Sequence, residues 1–220
     1  MVDLPLILDL AAEHVPATLL RQQRLARLVG DEVGELDLEA GLARFGSDMQ
    51  FAAQLVGATD EVADTFTWAW AAQEGSFDRA LVTGVTALRD YGMANGVDEL
   101  SEAVWSVLDV DPFLLAAIAR GWTQASAMYR FPYFEGAMYA LLGDVPLPPV
   151  QAQEFVQALT TGVAMAPMDH RVATVALCRD AGLSTTGLDE IVVATIGTTA
   201  VTVAFTRDGR IDGVDITGVR

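Results

Sequence analysis

Residues 45–72 form the most strongly patterned stretch of the chain, and they constrain its fold more than any other segment. Phe66, Trp68 and Trp70 are spaced two residues apart, so in a strand all three rings would lie on one face of a sheet. Gly57 and a polar link separate these rings from an earlier apolar run. The stretch therefore predicts two strands around a glycine-centred turn, with one aromatic face.

The residues just before this stretch alternate between apolar and charged side chains. Over residues 35–45, Leu36, Leu38 and Ala40 would face inward while their acidic neighbours face water, which predicts a strand. Together with the aromatic stretch, this segment predicts a three-stranded antiparallel meander over about residues 35–72.

The C-terminal part of the chain returns to strand patterns. Segments 190–196 and 200–206 are rich in β-branched residues. Asp208-Gly209 follows them as a hairpin signal, because glycine tolerates the positive backbone angle of a two-residue turn. We therefore predict antiparallel strands over about residues 190–217. With helices covering the strands, the predicted fold class is α+β.

Helical periodicity accounts for most of the remaining chain. The predicted helical segments are 4–29, 77–91, 98–108, 112–122, 150–163 and 169–180. Pro16 lies inside the first segment. The segment is therefore either one kinked helix or two consecutive helices. Ser76 is the predicted N-cap of the second segment, and Gly92 is its predicted end. Asp111 and Asp169 are predicted N-caps of later helices.

We predict a single α+β domain over residues 1–220. A chain of 220 residues with 52% apolar composition is long enough to bury a sizeable core. Prolines 146, 148 and 149 mark a weak internal boundary near residues 144–149. The conformation of residues 130–143, before them, stays open: Pro132 and Gly136 argue against a helix interior, and alternation of Ala137, Tyr139 and Leu141 is compatible with a strand.

The chain carries 30 acidic residues against 13 basic ones, for a net charge of −17. A surface this acidic repels phosphate backbones and anionic membranes, so we expect neither nucleic acid nor membrane as a partner. The charge fits solubility alone, or recognition of a partner protein with a basic surface. The oligomeric state stays open.

Composition also bears on the compartment. Cys178 is the only cysteine, so no intrachain disulfide can form and a reducing compartment fits. The N-terminus lacks a basic region ahead of its apolar residues, and no stretch approaches the ~20 apolar residues of a membrane helix. The chain has no lysine, which is typical of a GC-rich bacterial genome. We therefore expect a cytoplasmic bacterial protein.

Several motifs in the first half resemble those of a bacterial domain family of unknown function. The matching segments are Gln54-Leu55-Val56-Gly57, Thr67-Trp68-Ala69-Trp70-Ala71 and Leu88-Arg89-Asp90-Tyr91-Gly92, together with Gln23 in the first helix. The resemblance covers about residues 4–105. The resemblance implies a fold similar to that of the family and a bacterial cytosolic setting, and it implies no activity.

The aromatic face is the first candidate ligand site. Trp68 and Trp70 would line a pocket with Phe66 and Tyr91, and Gln54 in the neighbouring strand would supply a hydrogen-bonding group. The alternative is that these rings form an aromatic core beneath the helix of residues 77–91. We favour this alternative over the pocket.

A second polar and aromatic cluster surrounds Tyr129 and Arg130. Its other members are Tyr133, Glu135 and Tyr139. Arg130 would clamp a carboxylate or phosphate in two-point geometry. An internal pair between Arg130 and Glu135 is the alternative, and it is the one we favour.

The sequence shows no catalytic constellation. Asp169 and His170 are adjacent on a helix and point ~100° apart, while His170 and Cys178 are ~12 Å apart along it. Two histidines and one cysteine make no metal-ligand spacing, so we expect neither a metal nor a cofactor. The leading hypothesis is a non-enzymatic binding protein whose acidic surface engages a protein partner. The alternative is a small-molecule-binding protein, or a cryptic enzyme, that uses the Trp68 and Trp70 face.

Overall fold

The computed structural model describes residues 6–73, 77–187 and 190–218. The chain divides into two compact units, one of Leu25–Leu147 and one of Met1–Arg24 with Pro148–Arg220. The first helix, α1 (Leu6–Val29), contributes residues to both. That the chain folds as a single domain stays a prediction.

The unit Leu25–Leu147 is built on an antiparallel sheet. Its described strands are β1 (Gly34–Asp37), β2 (Leu42–Phe45), β3 (Met49–Asp60), β4 (Thr65–Trp68), β5 (Val104–Ser106), β6 (Ala127–Tyr133) and β7 (Gly136–Leu142). They follow the order β1-β2-β3-β4-β5, while β7 pairs with β3 and β6 pairs with β7. The predicted α+β class with antiparallel strands is confirmed.

Strand β3 is the centre of this sheet. Its first four residues pair with β2, residues 53–60 pair with β7, and residues 57–60 also pair with β4. The ladder with β7 is irregular between Leu55 and Gly57. A Cβ atom at Gly57 would collide with the Phe66 ring and with the carbonyl oxygen of Thr67, so glycine is needed where that ring crosses the strand.

The prediction of one strand over residues 35–45 is wrong. The segment forms two short strands, β1 and β2, because the chain turns at Gly41, whose φ is +66°. Leu38 and Ala40 lie in that turn, and Ala40 is exposed. The side chains of Ala43 and Phe45 are buried instead.

The helices of this unit differ in detail from their prediction. They are α2 (Thr83–Asn95), α3 (Asp98–Ser101) and α4 (Pro112–Thr123), with 3₁₀ turns at Ala69–Ala71 and Arg79–Val82. The proposed N-cap Ser76 lies outside the described residues. Gly92 does not end α2, because it is buried against Leu100; the helix ends at Gly96, whose φ is +67°. Asp111 is confirmed as the N-cap of α4.

Residues 98–108 are not one helix, which corrects another prediction. Helix α3 stops after Ser101, and Trp105 then pairs with Phe66 as part of β5. Strands β6 and β7 pair as a hairpin, and the alternating residues Ala137, Tyr139 and Leu141 lie in β7.

The other unit packs two helices and the part of α1 up to Arg24 with a smaller antiparallel sheet. Its elements are α5 (Ala152–Met165), α6 (His170–Asp180), β8 (Thr185–Thr186), β9 (Ile191–Ile196), β10 (Thr199–Phe205) and β11 (Ile211–Gly218), in sheet order β11-β10-β9-β8. The Asp169 N-cap and the hairpin at Asp208-Gly209 are confirmed. Helix α1 is continuous through Pro16. Gly162 of α5 packs directly against Pro16, and a Cβ atom added at Gly162 would collide with the proline.

Within the described ranges, no helix is both long enough and apolar enough to cross a membrane.

Candidate functional site

A groove in the unit Leu25–Leu147 has a cavity volume of about 670 Å³. It lies between the 3₁₀ turn Ala69–Ala71 and one face of α2. The side chains that give it chemical character are Trp70, Phe77, Arg79, Thr86, Arg89 and Asp90. We refer to it as the Trp70 groove.

The end of β4 separates the tryptophans that the sequence places on one face. Phe66 and Trp68 are buried and meet edge to face, with ring centroids 5.3 Å apart. The indole N–H of Trp68 donates to the carbonyl oxygen of Glu99 at 3.0 Å, which holds the strand end against α3. Trp70 follows in the 3₁₀ turn and lines the groove. A single face with three rings is therefore wrong, because the strand stops at Trp68.

Trp70 and Arg89 lie side by side at the groove wall. The Arg89 guanidinium lies 5.4 Å from the centroid of the Trp70 ring, a cation–π geometry. Its Nε and Nη2 atoms both donate to Oδ1 of Asp90, at 3.0 and 2.6 Å. The Arg89 cation thus contacts both a ring and the exposed Asp90 carboxylate. The Trp70 Nε1 atom is buried and has no acceptor among the described residues.

Gln54 does not line the groove but contacts the helix that does. Its Oε1 atom accepts a hydrogen bond from the backbone N–H of Gly84 at 3.2 Å, which ties β3 to the first turn of α2. A Cβ atom at Gly84 would approach this oxygen to 2.9 Å. Tyr91 packs against Trp122, with centroids 4.5 Å apart, and is not part of the groove lining.

The structure does not bring Tyr129 and Arg130 to the groove. The Tyr129 ring packs edge-on against Phe45, with a centroid distance of 4.9 Å. Nη2 of Arg130 lies 3.3 Å from Oε1 of Glu61, and both side chains are exposed. The expected pairing of Arg130 with Glu135 is therefore replaced by one with Glu61, because a backbone hydrogen bond from the Glu61 N–H to the Glu135 carbonyl oxygen brings Glu61 to the β6–β7 turn.

Sequence reasoning missed the groove residues contributed by α2. Thr83, Thr86, Ala87 and Asp90 line the groove together, and their spacing of three to four residues is that of one helix face. The spacing is visible in the sequence, but nothing in it indicates that Trp70 would face that side of the helix.

The titratable groups singled out in the other unit show no shared site. His170 Nδ1 accepts a hydrogen bond from the Ile211 N–H at 3.2 Å, and burial, together with Arg210, lowers the pKa of His170. Burial raises the pKa of the Cys178 thiol to about 11. In the part of the chain that the structure describes, no three His, Cys, Asp or Glu side chains are grouped to hold a metal ion.

The comparisons with known proteins give one match. A family model described as "Family of unknown function (DUF6882)" matches residues 8–145, which include most of α1 and nearly all of the unit Leu25–Leu147. No curated protein and no solved structure matches the chain.

Proposed function

The chain belongs to the DUF6882 family of unknown function, and we propose that it is a small-molecule-binding protein whose ligand site is the Trp70 groove. The observation that carries the proposal is the pairing of an aromatic ring with a cation in a cavity of about 670 Å³. Ligand sites typically combine apolar walls with a few well-placed polar groups in volumes of ~300–1,000 Å³.

The lining favours a small, flat, negatively charged ligand. Two cations, Arg79 and Arg89, line the groove against one carboxylate, Asp90, so the lining is positive although the chain as a whole carries a net charge of −17. Trp70 and Phe77 offer flat apolar surfaces for a ring.

Isothermal titration calorimetry with phenyl phosphate and benzoate tests this proposal, with benzyl alcohol as the neutral comparison. We expect the anions to bind and the alcohol to bind more weakly. Replacing Arg89 with glutamine removes a charge-assisted hydrogen bond, which contributes about 1.5–3 kcal/mol, so affinity should fall roughly ten- to hundredfold.

Arg44→Gln is the matched control for that experiment. Arg44 also pairs with an aspartate, Asp37, at 3.0 Å, but it lies on β2 and does not line the groove. It should leave anion binding unchanged. Equal losses in the two variants, or no heat from any probe, would refute the Trp70 groove as an anion site.

A second candidate function is the binding of a basic protein partner, which the acidic composition favours. Ion pairs engage arginines such as Arg21, Arg44 and Arg130 with carboxylates of the same chain. With 30 acidic residues against 13 basic ones, many carboxylates are left to face a partner. A complex of this kind should weaken as salt rises to about 0.3 M, because salt screens exposed charges. We propose the bacterial cytosol as the setting for either function.

A further inference from the structure

Large apolar side chains are displayed to solvent at one end of the sheet in the unit Leu25–Leu147. The exposed fractions are 99% for Phe134, 84% for Leu108 and 81% for Val62. Phe134 lies in the turn between β6 and β7, Val62 in the turn between β3 and β4, and Leu108 just after β5. We name this set of residues the apolar tip.

Backbone hydrogen bonds join the segments that carry the tip. The N–H of Glu61 donates to the carbonyl oxygen of Glu135 at 2.8 Å, which links the β3–β4 turn to the β6–β7 turn. The N–H of Val107 donates to the carbonyl oxygen of Asp64 at 2.9 Å, which links the β3–β4 turn to the end of β5. The exposed side chains therefore belong to neighbouring segments of one surface.

Side-chain hydrogen bonds fix the conformation of each segment. Oδ1 of Asp60 accepts from the N–H groups of Val62 and Ala63, at 2.8 and 2.9 Å. The Leu108 N–H donates to the Ser106 hydroxyl at 3.2 Å. The Tyr133 hydroxyl donates to the carbonyl oxygen of Thr59 at 2.7 Å. Surfaces held in this way lose little conformational entropy when a partner binds.

The segments that carry the apolar tip are rich in carboxylates. Acidic residues in or next to these turns are Asp60, Glu61, Asp64, Asp109 and Glu135. Their effect reaches Tyr133, whose pKa is raised first by burial and then by the charges of Asp60, Glu135 and Glu61. The nearby cation Arg130 is paired with Glu61. A molecule that binds this surface would therefore contact exposed apolar side chains in a region of negative electrostatic potential.

We infer that the apolar tip is the docking surface for a basic protein segment that alternates cationic and apolar side chains. Its apolar side chains would cover Phe134, Leu108 and Val62, and its cations would face the carboxylates around them. A second copy of this chain would bring the same carboxylates together, and an anionic membrane would be repelled. This inference rests on the second function proposed above and is independent of the Trp70 groove.

Fluorescence anisotropy with the intact chain tests the inference. The probe is a short labelled peptide of alternating arginine and leucine. The comparison peptides alternate arginine with serine, or glutamate with leucine. We expect the arginine–leucine peptide to bind best, and about 0.3 M salt to weaken its binding.

Paired variants locate the binding surface. Phe134→Ser should weaken peptide binding about tenfold, since a central aromatic contact is lost, and Glu135→Gln should weaken it less. The controls are Val33→Ser, at a residue that is 72% exposed just before β1, and Glu39→Gln in the β1–β2 turn. Both controls should bind as the unchanged protein does, and circular dichroism checks that every variant folds.

Three results would overturn the inference. Equal peptide binding by the tip variants and the control variants would rule out the apolar tip as the docking surface and leave the second function standing. If neither arginine peptide binds, both the binding of a basic partner and the role of the apolar tip as its docking surface are refuted. A dimer that Phe134→Ser abolishes in analytical ultracentrifugation would identify a second copy as the occupant.

Discussion

Trp68 and Trp70 lie two positions apart and have different surroundings. Trp68 is 1% exposed, and its indole N–H is bonded to the backbone of Glu99. Trp70 is half-buried, faces the Arg89 cation and lines the groove. The difference arises because β4 ends between them, so the first ring belongs to the core and the second to a candidate site.

Alanine substitutions should separate these two roles. Trp68→Ala removes a large buried ring and should lower the free energy of unfolding by about 3–5 kcal/mol. Trp70→Ala should lower it by roughly 1 kcal/mol, because its ring is only partly buried. Urea denaturation followed by circular dichroism measures both. Similar losses in the two variants would contradict the assignment.

Cys178 should be nearly inert in the folded protein. Burial raises the pKa of its thiol to about 11, so almost no thiolate exists near neutral pH, and the sulfur is out of reach of reagents. Ellman's reagent should therefore react slowly with the native chain and rapidly in urea, which serves as the control. Rapid stoichiometric reaction of the native protein would show that the thiol is accessible.

His170 should make stability depend on pH. Burial lowers its pKa in the folded state from the ordinary 6.5, so below that value the unfolded chain binds more protons than the folded one. The stability contributed by neutral His170 is present above about pH 6.5 and is lost as the pH falls. Protonation also removes the Nδ1 acceptor used by Ile211.

Chemical denaturation at about pH 7.5 and about pH 5.5 measures this effect. The unchanged protein should lose more stability over the interval than His170→Gln does. An identical pH dependence for His170→Gln would rule out the titration of His170 as its source.

At the scale of elements, Gly57 is the residue that lets β4 lie against β3. An added Cβ atom would collide with the Phe66 ring, which cannot move without disturbing the core. Gly57→Ala should therefore cost about 1–3 kcal/mol of stability through overpacking. Gly143→Ala is the control, because its Cβ would make an ordinary 3.8 Å contact with Ala52. Thermal unfolding compares the two, and equal melting temperatures would contradict the packing argument.

The elements that sequence predicts well are those whose signals are local. Asp111-Pro112 begins α4 as expected, and Asp208-Gly209 joins β10 to β11, because a cap and a turn depend on a few adjacent residues. Strand β5 was missed because its conformation is set by pairing with β4, nearly forty positions earlier in the chain. Helical and strand propensities alone do not carry that information.

In the candidate site, too, the local features are predictable from the sequence and the contacts between distant residues are not. The aromatic stretch was identified from its spacing, but the side that Trp70 faces depends on where β4 ends. That end is held by a hydrogen bond between Trp68 and Glu99, which are 31 residues apart. The partner of Arg130, Glu61, lies 69 residues away along the chain. Contacts between distant residues of this kind are the part that the sequence did not indicate.

At the scale of the whole molecule, both proposed surfaces lie in one unit. The Trp70 groove and the apolar tip are formed by residues of Leu25–Leu147, nearly all of which the DUF6882 match covers. The two surfaces share none of their defining residues. Arg89→Gln should therefore leave peptide binding unchanged, and Phe134→Ser should leave anion binding unchanged.

The central claim is that a small anion binds beside Trp70. The most direct test is a ¹H–¹⁵N correlation spectrum of the indole N–H groups of the four tryptophans, recorded while phenyl phosphate is added. With the Trp70 signal assigned from Trp70→Phe, we predict that it shifts on titration while the Trp68 signal, bonded to Glu99, stays in place. A Trp70 signal that does not move, or equal shifts of all four signals, would contradict the claim.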